Sequence, residues 1–488
     1  MLCTRWFSLP RLEPNRVDSG VDRRRVVETR RHAWRRSAEN RSNRDDRSPA
    51  STGRSVETWA LTSLRSLALR ARGSDFVRHG LLVFAGLLAA NVLQFGFYFL
   101  LSRVVGIERY GVLTSLFSAT LLLATAPATV AGTIVTRLAA DLRAVADTSK
   151  LRRLADLTNA ATALLGVAGL LAIVAVASPI AAFLHLTSTV PVLLTGIVLG
   201  FSVAIPVQRG VLQGAERFGA FTASTIVEAG TKVVASPVLA LYFGVDGALI
   251  GLAIASFLTW CYNVIQLRRS GSGSGRLRLD LRRIALTWAN VAVAVLAINA
   301  LLFYDVILVR HYYSAVIAGL YGAAALAARA LYMFIAFIPT IVLPKATARS
   351  TVGRGTRSLL IASVLTAAAI VGVALLAAAI APRLIVSVIA GRAYADAGAY
   401  VFAYMLALGA LALANVVTMY NIGLHRFDFV APLALIAVGE ILAVATWHAN
   451  VHTTLLILCI GHSLALGSTL IRFRAPILQR RGAAPTAV

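Results

Sequence analysis

The chain has 488 residues, of which 58% are hydrophobic and 14% charged, with a mean hydropathy of +0.76. A soluble protein of this size needs far more polar surface, so composition excludes a soluble globular enzyme or binding module. The net charge of +26 would suggest a nucleic-acid partner in a soluble chain, but 18 arginines lie in residues 1–78 and most other cations lie in short loops. That placement points to membrane orientation and lipid headgroups, not nucleic acid.

Residues 1–78 form an Arg-rich tail with too few large apolar side chains to offset their ordering entropy, so a largely disordered cytoplasmic segment is expected. Within it, 56–72 (VETWALTSLRSLALRAR) is loosely amphipathic and is a candidate interfacial helix. From Gly80 onward, apolar runs of about 20 residues recur, the length of a helix crossing the bilayer core, without the alternation of a membrane β-strand. The expected fold is therefore an all-α polytopic membrane protein. Twelve spans are read at 80–101, 111–134, 158–178, 189–207, 220–242 and 246–267, then 284–309, 314–342, 358–380, 397–419, 429–447 and 453–471. With the N-terminus inside, the loops assigned to the cytoplasm carry 22 Lys/Arg and those assigned outside carry 5. This asymmetry places both termini in the cytoplasm. Three lysines against 44 arginines fit a GC-rich bacterial genome, and so a cytoplasmic (inner, plasma) membrane.

The Gly/Ser-rich stretch within 270–283 reads as a cytoplasmic linker. It divides the chain into six-helix bundles at 79–269 and 284–474, with a cytoplasmic tail at 475–488. The corners LSRVVGIERYGVLTSL and LVRHYYSAVIAGLYGAAAL occupy matching positions in the two halves. Each places an Arg before a short loop and Tyr-Gly at the start of the next helix (Arg103 with Tyr110–Gly111, Arg310 with Tyr321–Gly322). With six spans per half, the repeat is of the parallel kind.

Those corners, with VLQGAERFGAFTASTIVEAGTKVVASPVLALYFGVDGALIG (211–251), YDVILVRHYYSAVIAGLYGAAALAAR and IPTIVLPKATA, resemble the polysaccharide and oligosaccharide-lipid flippases of the multidrug/oligosaccharidyl-lipid/polysaccharide (MOP) exporter superfamily. The resemblance covers about residues 79–475 and leaves the tail outside. It implies two helical bundles around a central cavity, alternating access, and a polyprenyl-diphosphate-linked glycan as the transported partner. It also implies contact with membrane lipids, glycan polymerase or glycosyltransferases as neighbours, and no cofactor. In the drug-exporting branch it implies cations as cargo.

Charged residues in hydrocarbon cost about 2.5–3.5 kcal/mol on insertion scales, so those in the spans should face protein or a wet cavity. Glu228 and Lys232 are four apart on one helix face, the better orientation for pairing. Lys232 and Arg329 lie near the middle of their spans and would offer two cations to a diphosphate. The other reading of Lys232 is that it neutralises Glu228. The resemblance matches Asp305 to the family's acidic position in span 7, where a bound cation or proton would bias cavity opening. Alternatively, Asp305 pairs with Arg310, His311 or a neighbouring helix end. Glu440 reads as a coupling carboxylate or as a hydrogen-bond partner of the next span. Asn91, Gln94, Asn290 and Asn299 read as sugar contacts or as amides joining helices. Pro127, Pro206, Pro237, Pro339 and Pro344 are expected to interrupt or end helices, and Gly247-x-x-x-Gly251 to permit close helix packing.

The three cysteines (Cys3, Cys261 and Cys459) have neither a disulfide nor a metal-ligand pattern. The chain has no Gly-Lys-Ser/Thr phosphate loop, and no inter-span loop is long enough for a catalytic domain. These features speak for a transporter over a membrane glycosyltransferase or polymerase. A scaffold that recruits glycan enzymes through the basic tail is a further reading.

Overall fold

The structure is a computed structural model that describes residues 75–269, 281–351 and 355–471. Residues 1–74 of the expected 1–78 tail, with the candidate interfacial helix 56–72, most of the 270–283 linker and the C-terminal tail 475–488, lie outside the described residues, whereas 75–78 begin the first helix. The described residues form one compact unit. Among the described residues there is no strand.

The elements are α1 (Asp75–Val105), α2 (Ile107–Ala144), α3 (Thr148–Phe183), α4 (Val190–Gly214), α5 (Phe218–Arg268), α6 (Leu281–Tyr312), α7 (Ala315–Ile335) and α8 (Phe337–Thr351). There follow α9 (Arg357–Ile380), the short α10 (Pro382–Ile389), a 3₁₀ turn (Arg392–Ala397), α11 (Gly398–Gly423), α12 (Val430–Thr446) and α13 (Val451–Ile471). Among the described residues there are ten membrane-length apolar helices, together with the shorter α12. Counting the two arms of α5 separately and adding α12 accounts for all twelve expected spans.

Two boundaries differ from expectation for local reasons. The spans expected at 220–242 and 246–267 run on as one element, α5, which turns at Gly244 with φ +57. That left-handed backbone is open to glycine at little steric cost. Gly247 and Gly251 then bring the second arm onto the first: a Cβ on Gly247 would fall 2.0 Å from the Leu239 carbonyl oxygen, and one on Gly251 2.4 Å from Ser236 Cα. The small-residue motif is thus used within this hairpin. Conversely, the span expected at 314–342 divides at Ala336 into α7 and α8. Pro339 supplies no N–H for the Ile335 carbonyl one turn earlier, so the ladder fails there. Pro127, Pro206 and Pro237, also expected to interrupt helices, sit inside α2, α4 and α5, which continue past them.

Four helices end alike. Ala146, His185, Glu216 and His425 take φ values of 52–56°, and each preceding helix closes through the paired 5→2 and 6→1 backbone bonds of a Schellman cap. For example, Ala146 N–H donates to the Arg143 carbonyl and Asp147 N–H to the Leu142 carbonyl. Asp147 then caps α3: its carboxylate accepts from the Lys150 backbone N–H at 3.0 Å and pairs with Lys150 Nζ at 2.8 Å. Lys150, through the side-chain contact first and then the backbone one, holds this carboxyl below the ordinary aspartate value.

The outward faces are apolar, with Leu164, Leu241, Val373 and Leu435 exposed on α3, α5, α9 and α12, as expected of helices that face lipid. Inside, α7 is lined with small residues (Ala318, Gly319, Gly322, Ala323–Ala325, Ala327 and Ala328), all buried. It can therefore approach its neighbours closely. A Cβ on Gly319 would meet the Ile107 carbonyl oxygen of α2 at 2.0 Å, and one on Gly322 would meet Thr114 Oγ1 at 2.5 Å. The two Tyr-Gly corners of the sequence repeat thus meet at the seam between α2 and α7.

Candidate functional site

Asp305 of α6 is 1% exposed. Its Oδ2 accepts from the hydroxyl of Tyr321 (α7) at 2.8 Å and from that of Tyr404 (α11). Its Oδ1 lies 3.3 Å from Arg329 Nη2 of α7. Arg329 also donates from Nη2 to the Leu302 carbonyl and from Nη1 to Ser118 Oγ of α2, each at 3.0 Å. Its guanidinium carbon stands 4.8 Å from the centre of the Phe303 ring. The reading that paired Asp305 with Arg310 or His311 is corrected: Arg310 donates to the carbonyls of Leu184 and His185, and the His311 ring nitrogen Nδ1 meets the Phe183 carbonyl at 2.7 Å. Helical geometry explains the choice, since residues three and four apart share a face whereas Asp305 and Arg310 are five apart.

Glu228 and Lys232 also choose partners from other helices. Glu228 pairs with Arg209 of α4 at 2.7 Å, and Arg209 further donates to the Ser224 hydroxyl and carbonyl, each at 2.9 Å. Lys232 Nζ donates to Gln94 Oε1 of α1 at 2.9 Å and lies 4.8 Å from the centre of the Phe97 ring. Glu228 still acts on Lys232 through space, but its ion pair is with Arg209. Arg209 was counted as a loop cation, because it follows Pro206 near a span end, and sequence reasoning missed it. Its apolar surroundings on α4 were the available signal.

Gln94 joins α1 to α5 through Lys232, whereas Asn299 is buried and donates to the Val295 carbonyl of its own helix at 2.7 Å. Asn91 and Asn290 are exposed. Glu440 of α12 is buried. It accepts from the Tyr304 hydroxyl at 2.9 Å and lies 3.2 Å from His462 Nε2 of α13. Tyr304, Tyr404, Ser118 and His462 do not stand out in the sequence, because a lone tyrosine, serine or histidine in apolar text resembles core, and Tyr321 stands out there only as part of a Tyr-Gly corner.

A cavity of about 350 Å³ lies between α2, α4 and α5, with Thr129, Thr133, Arg209, Gln213 and Phe221 on its wall. Its wall is mostly apolar, and Arg209, Gln213 and the threonine hydroxyls are the polar groups that could meet part of a headgroup.

At the end that carries Gly106, the halves are clasped. Arg103 donates to the Val388 carbonyl at 3.2 Å, Tyr394 to the Ser102 carbonyl at 2.9 Å, and Arg310 reaches across to Leu184 and His185. The Phe183 and His311 rings stack there at 3.9 Å. At the end that carries Ala215, described contacts within a half include Arg143 with the Ala215 carbonyl and Glu216, Arg217 with Gln266, and Thr347 with the Gly423 carbonyl.

No family model matches the chain, and no curated protein sequence does. Solved structures do. The chain is similar to an inward-facing multidrug resistance MATE family transporter of the MOP superfamily (13% identity, 81% of this chain and 96% of that one, TM-score 0.68). It is also similar to the lipid II flippase MurJ in an inward closed conformation (11%, 81% and 87%, TM-score 0.62). An outward-facing MATE family transporter matches with a TM-score of 0.56 at 14% identity over 83% of this chain and 96% of that one. The chain therefore has the fold of the MOP-superfamily transporters.

Proposed function

We propose that the protein is a flippase that carries a lipid-linked oligosaccharide or polysaccharide precursor across the cytoplasmic membrane by alternating access. Both termini are cytoplasmic in this reading, and glycan polymerases or glycosyltransferases are the neighbouring enzymes. The similarity to the lipid II flippase MurJ supports a lipid-linked cargo. The clasped Gly106 end is then the outer end, so the arrangement is closed outside. The higher TM-score against the inward-facing than against the outward-facing MATE transporter supports that assignment.

The observation that carries the reading is Lys232. Its partners are a neutral amide and an aromatic face, while Glu228 has given its carboxylate to Arg209. An ammonium whose direct contacts are a neutral amide and a ring face can turn to an anionic ligand, which a polyprenyl diphosphate provides. Arg209 on the cavity wall adds donors beside it. Arg329 is committed to Asp305 in this state and would reach the diphosphate only after that pair opens. Asp305 would thereby gate the second cation.

The test is transfer of a fluorescent polyprenyl-diphosphate oligosaccharide across reconstituted vesicles. Lys232→Gln should lower the rate by about ten- to hundredfold, the worth of a hydrogen bond to a charge, and Lys232→Arg should restore most of it. An unchanged rate in Lys232→Gln overturns the assignment of Lys232.

The similarity to a multidrug MATE transporter favours a second reading, a cation-coupled drug exporter. That reading expects overexpression to raise resistance to cationic drugs and Lys232→Gln to leave or improve it, because a cavity lysine repels a cationic drug.

A further inference from the structure

The five cations in the loops assigned outside are Arg103, Arg109, Arg310, Arg383 and Arg392. Membrane orientation disfavours arginine on that side, so their positions call for another cause. Arg310 is engaged in the clasp. Of the other four, three meet at one short strap, made of α10 and the 3₁₀ turn that follows it: Arg383 and Arg392 belong to it, and Arg103 reaches it from α1.

The strap starts where α9 breaks at Ala381, and it rests on α7 and α11. A Cβ on Gly398 would fall 2.9 Å from the Arg383 backbone nitrogen, so the first turn of α10 is seated closely on the start of α11. Val386 is buried, whereas Leu384 and Val388, four apart on one helix face, are exposed. They extend the exposed apolar row Val373, Leu376 and Ile380 of α9. At Gly391 the chain turns with φ +113 and ψ 160, a conformation open to glycine almost alone. Beyond that turn, Tyr394 is buried and donates to the Ser102 carbonyl.

Arg103, Arg383 and Arg392 are exposed, and among the described residues no carboxylate forms an ion pair with them. Arg103 donates to the carbonyls of Phe99 and Val388 and stands 3.5 Å from the centre of the Phe99 ring. Asp396, the acid of the turn, is exposed and forms no ion pair with them either. A short helix with an apolar outer face and flanking arginines suits the boundary between headgroups and acyl chains. Guanidinium forks match phosphate oxygens, and their stems can lie along apolar surface. A zwitterionic headgroup would bring its own cation against the arginines, whereas phosphatidylglycerol would not.

We propose that α10, the 3₁₀ turn and Arg103 form a binding site for an anionic phospholipid of the leaflet at the Gly106 end. The arginines hold its phosphate, and an acyl chain runs along Leu384 and Val388. The Val388 carbonyl and Tyr394 are also partners of α1 in the clasp, so a bound lipid steadies the strap and, through it, the closed end. None of this depends on which solute is carried.

The test uses the full chain with Cys3, Cys261 and Cys459 replaced by Ser and a fluorophore on Ala393→Cys, an exposed position of the turn. The protein is placed in phosphatidylcholine nanodiscs, and nitroxide-bearing phosphatidylglycerol or phosphatidylcholine is added as quencher. The label reports lipid at the strap alone, so the 18 arginines of residues 1–78 do not contribute. Phosphatidylglycerol should reach half-quenching at about thirtyfold lower content than phosphatidylcholine, about fivefold for each of Arg383 and Arg392. Both side chains are exposed, so Arg383→Gln with Arg392→Gln should keep the fold and lose that preference. Arg152→Gln with Arg153→Gln makes the same charge change on α3 and should leave the preference intact. Equal quenching by the two lipids in wild type overturns the proposal. A preference that survives the loss of Arg383 and Arg392, or that falls equally in the α3 double variant, overturns it as well. Stronger quenching by a nitroxide-bearing polyprenyl diphosphate than by phosphatidylglycerol would identify a station for a transported lipid instead and would overturn it too.

Discussion

Arg329 stands 24 residues from Asp305 in the chain, and the two meet as a buried pair with Tyr321 and Tyr404 around the carboxylate. Breaking such a pair by deleting one partner leaves an uncompensated charge and costs about 3–5 kcal/mol. Arg329→Ala should therefore lower the amount of folded protein as well as its activity. Asp305→Asn combined with Arg329→Gln should recover most of the stability while remaining slow in transport. Thermal unfolding in detergent measures the first effect and vesicle flipping the second. An Arg329→Ala protein as stable as wild type would show that water already reaches the carboxylate. The individual charges stood out in the sequence because charge is expensive in apolar text. Their partners did not. Glu228 chose Arg209 over Lys232, although Lys232 sits at ideal helical spacing, because a forked guanidinium can bind the carboxylate and the Ser224 hydroxyl and carbonyl together.

At the scale of elements, helix existence was readable and helix ends less so. Span positions follow from runs of apolar residues, which is why all twelve lie on helices. The division at Ala336 and the turn at Gly244 depend on single residues whose effect varies with their neighbours: Pro339 accompanies a helix break, whereas Pro127, Pro206 and Pro237 do not. The four Schellman caps place non-glycine residues at positive φ, which costs about 1–2 kcal/mol each for an L-residue. Ala146→Gly should accordingly raise the thermal midpoint by relieving about 1 kcal/mol. The companion change Gly251→Leu should lower it, because its side chain would enter the Ser236 backbone where the α5 arms touch. A Gly251→Leu protein with an unchanged midpoint would mean that the hairpin can spread at little cost.

For the molecule as a whole, the clasp between the halves at the Gly106 end is the feature with functional consequence. Arg310 donates two of the hydrogen bonds that close the Gly106 end. Removing it should favour opening there by about tenfold, given about 1.4 kcal/mol for weakened bonds to a charge. In a chain whose Cys3, Cys261 and Cys459 are replaced by Ser, a Cys at the buried Ser102 should react slowly with an impermeant maleimide. Adding Arg310→Ala should speed that reaction about tenfold, and an unchanged rate would mean that Tyr394 and Arg103 hold the end closed alone. The sequence by itself determined the all-α membrane fold, the number of spans and the membrane-embedded charges, because hydrophobic burial and the cost of charge in lipid act on local composition. Only the tertiary structure decided which charges pair, where the halves clasp, and that Glu440 meets His462. Those outcomes depend on which helix faces which, and packing between distant segments sets that arrangement.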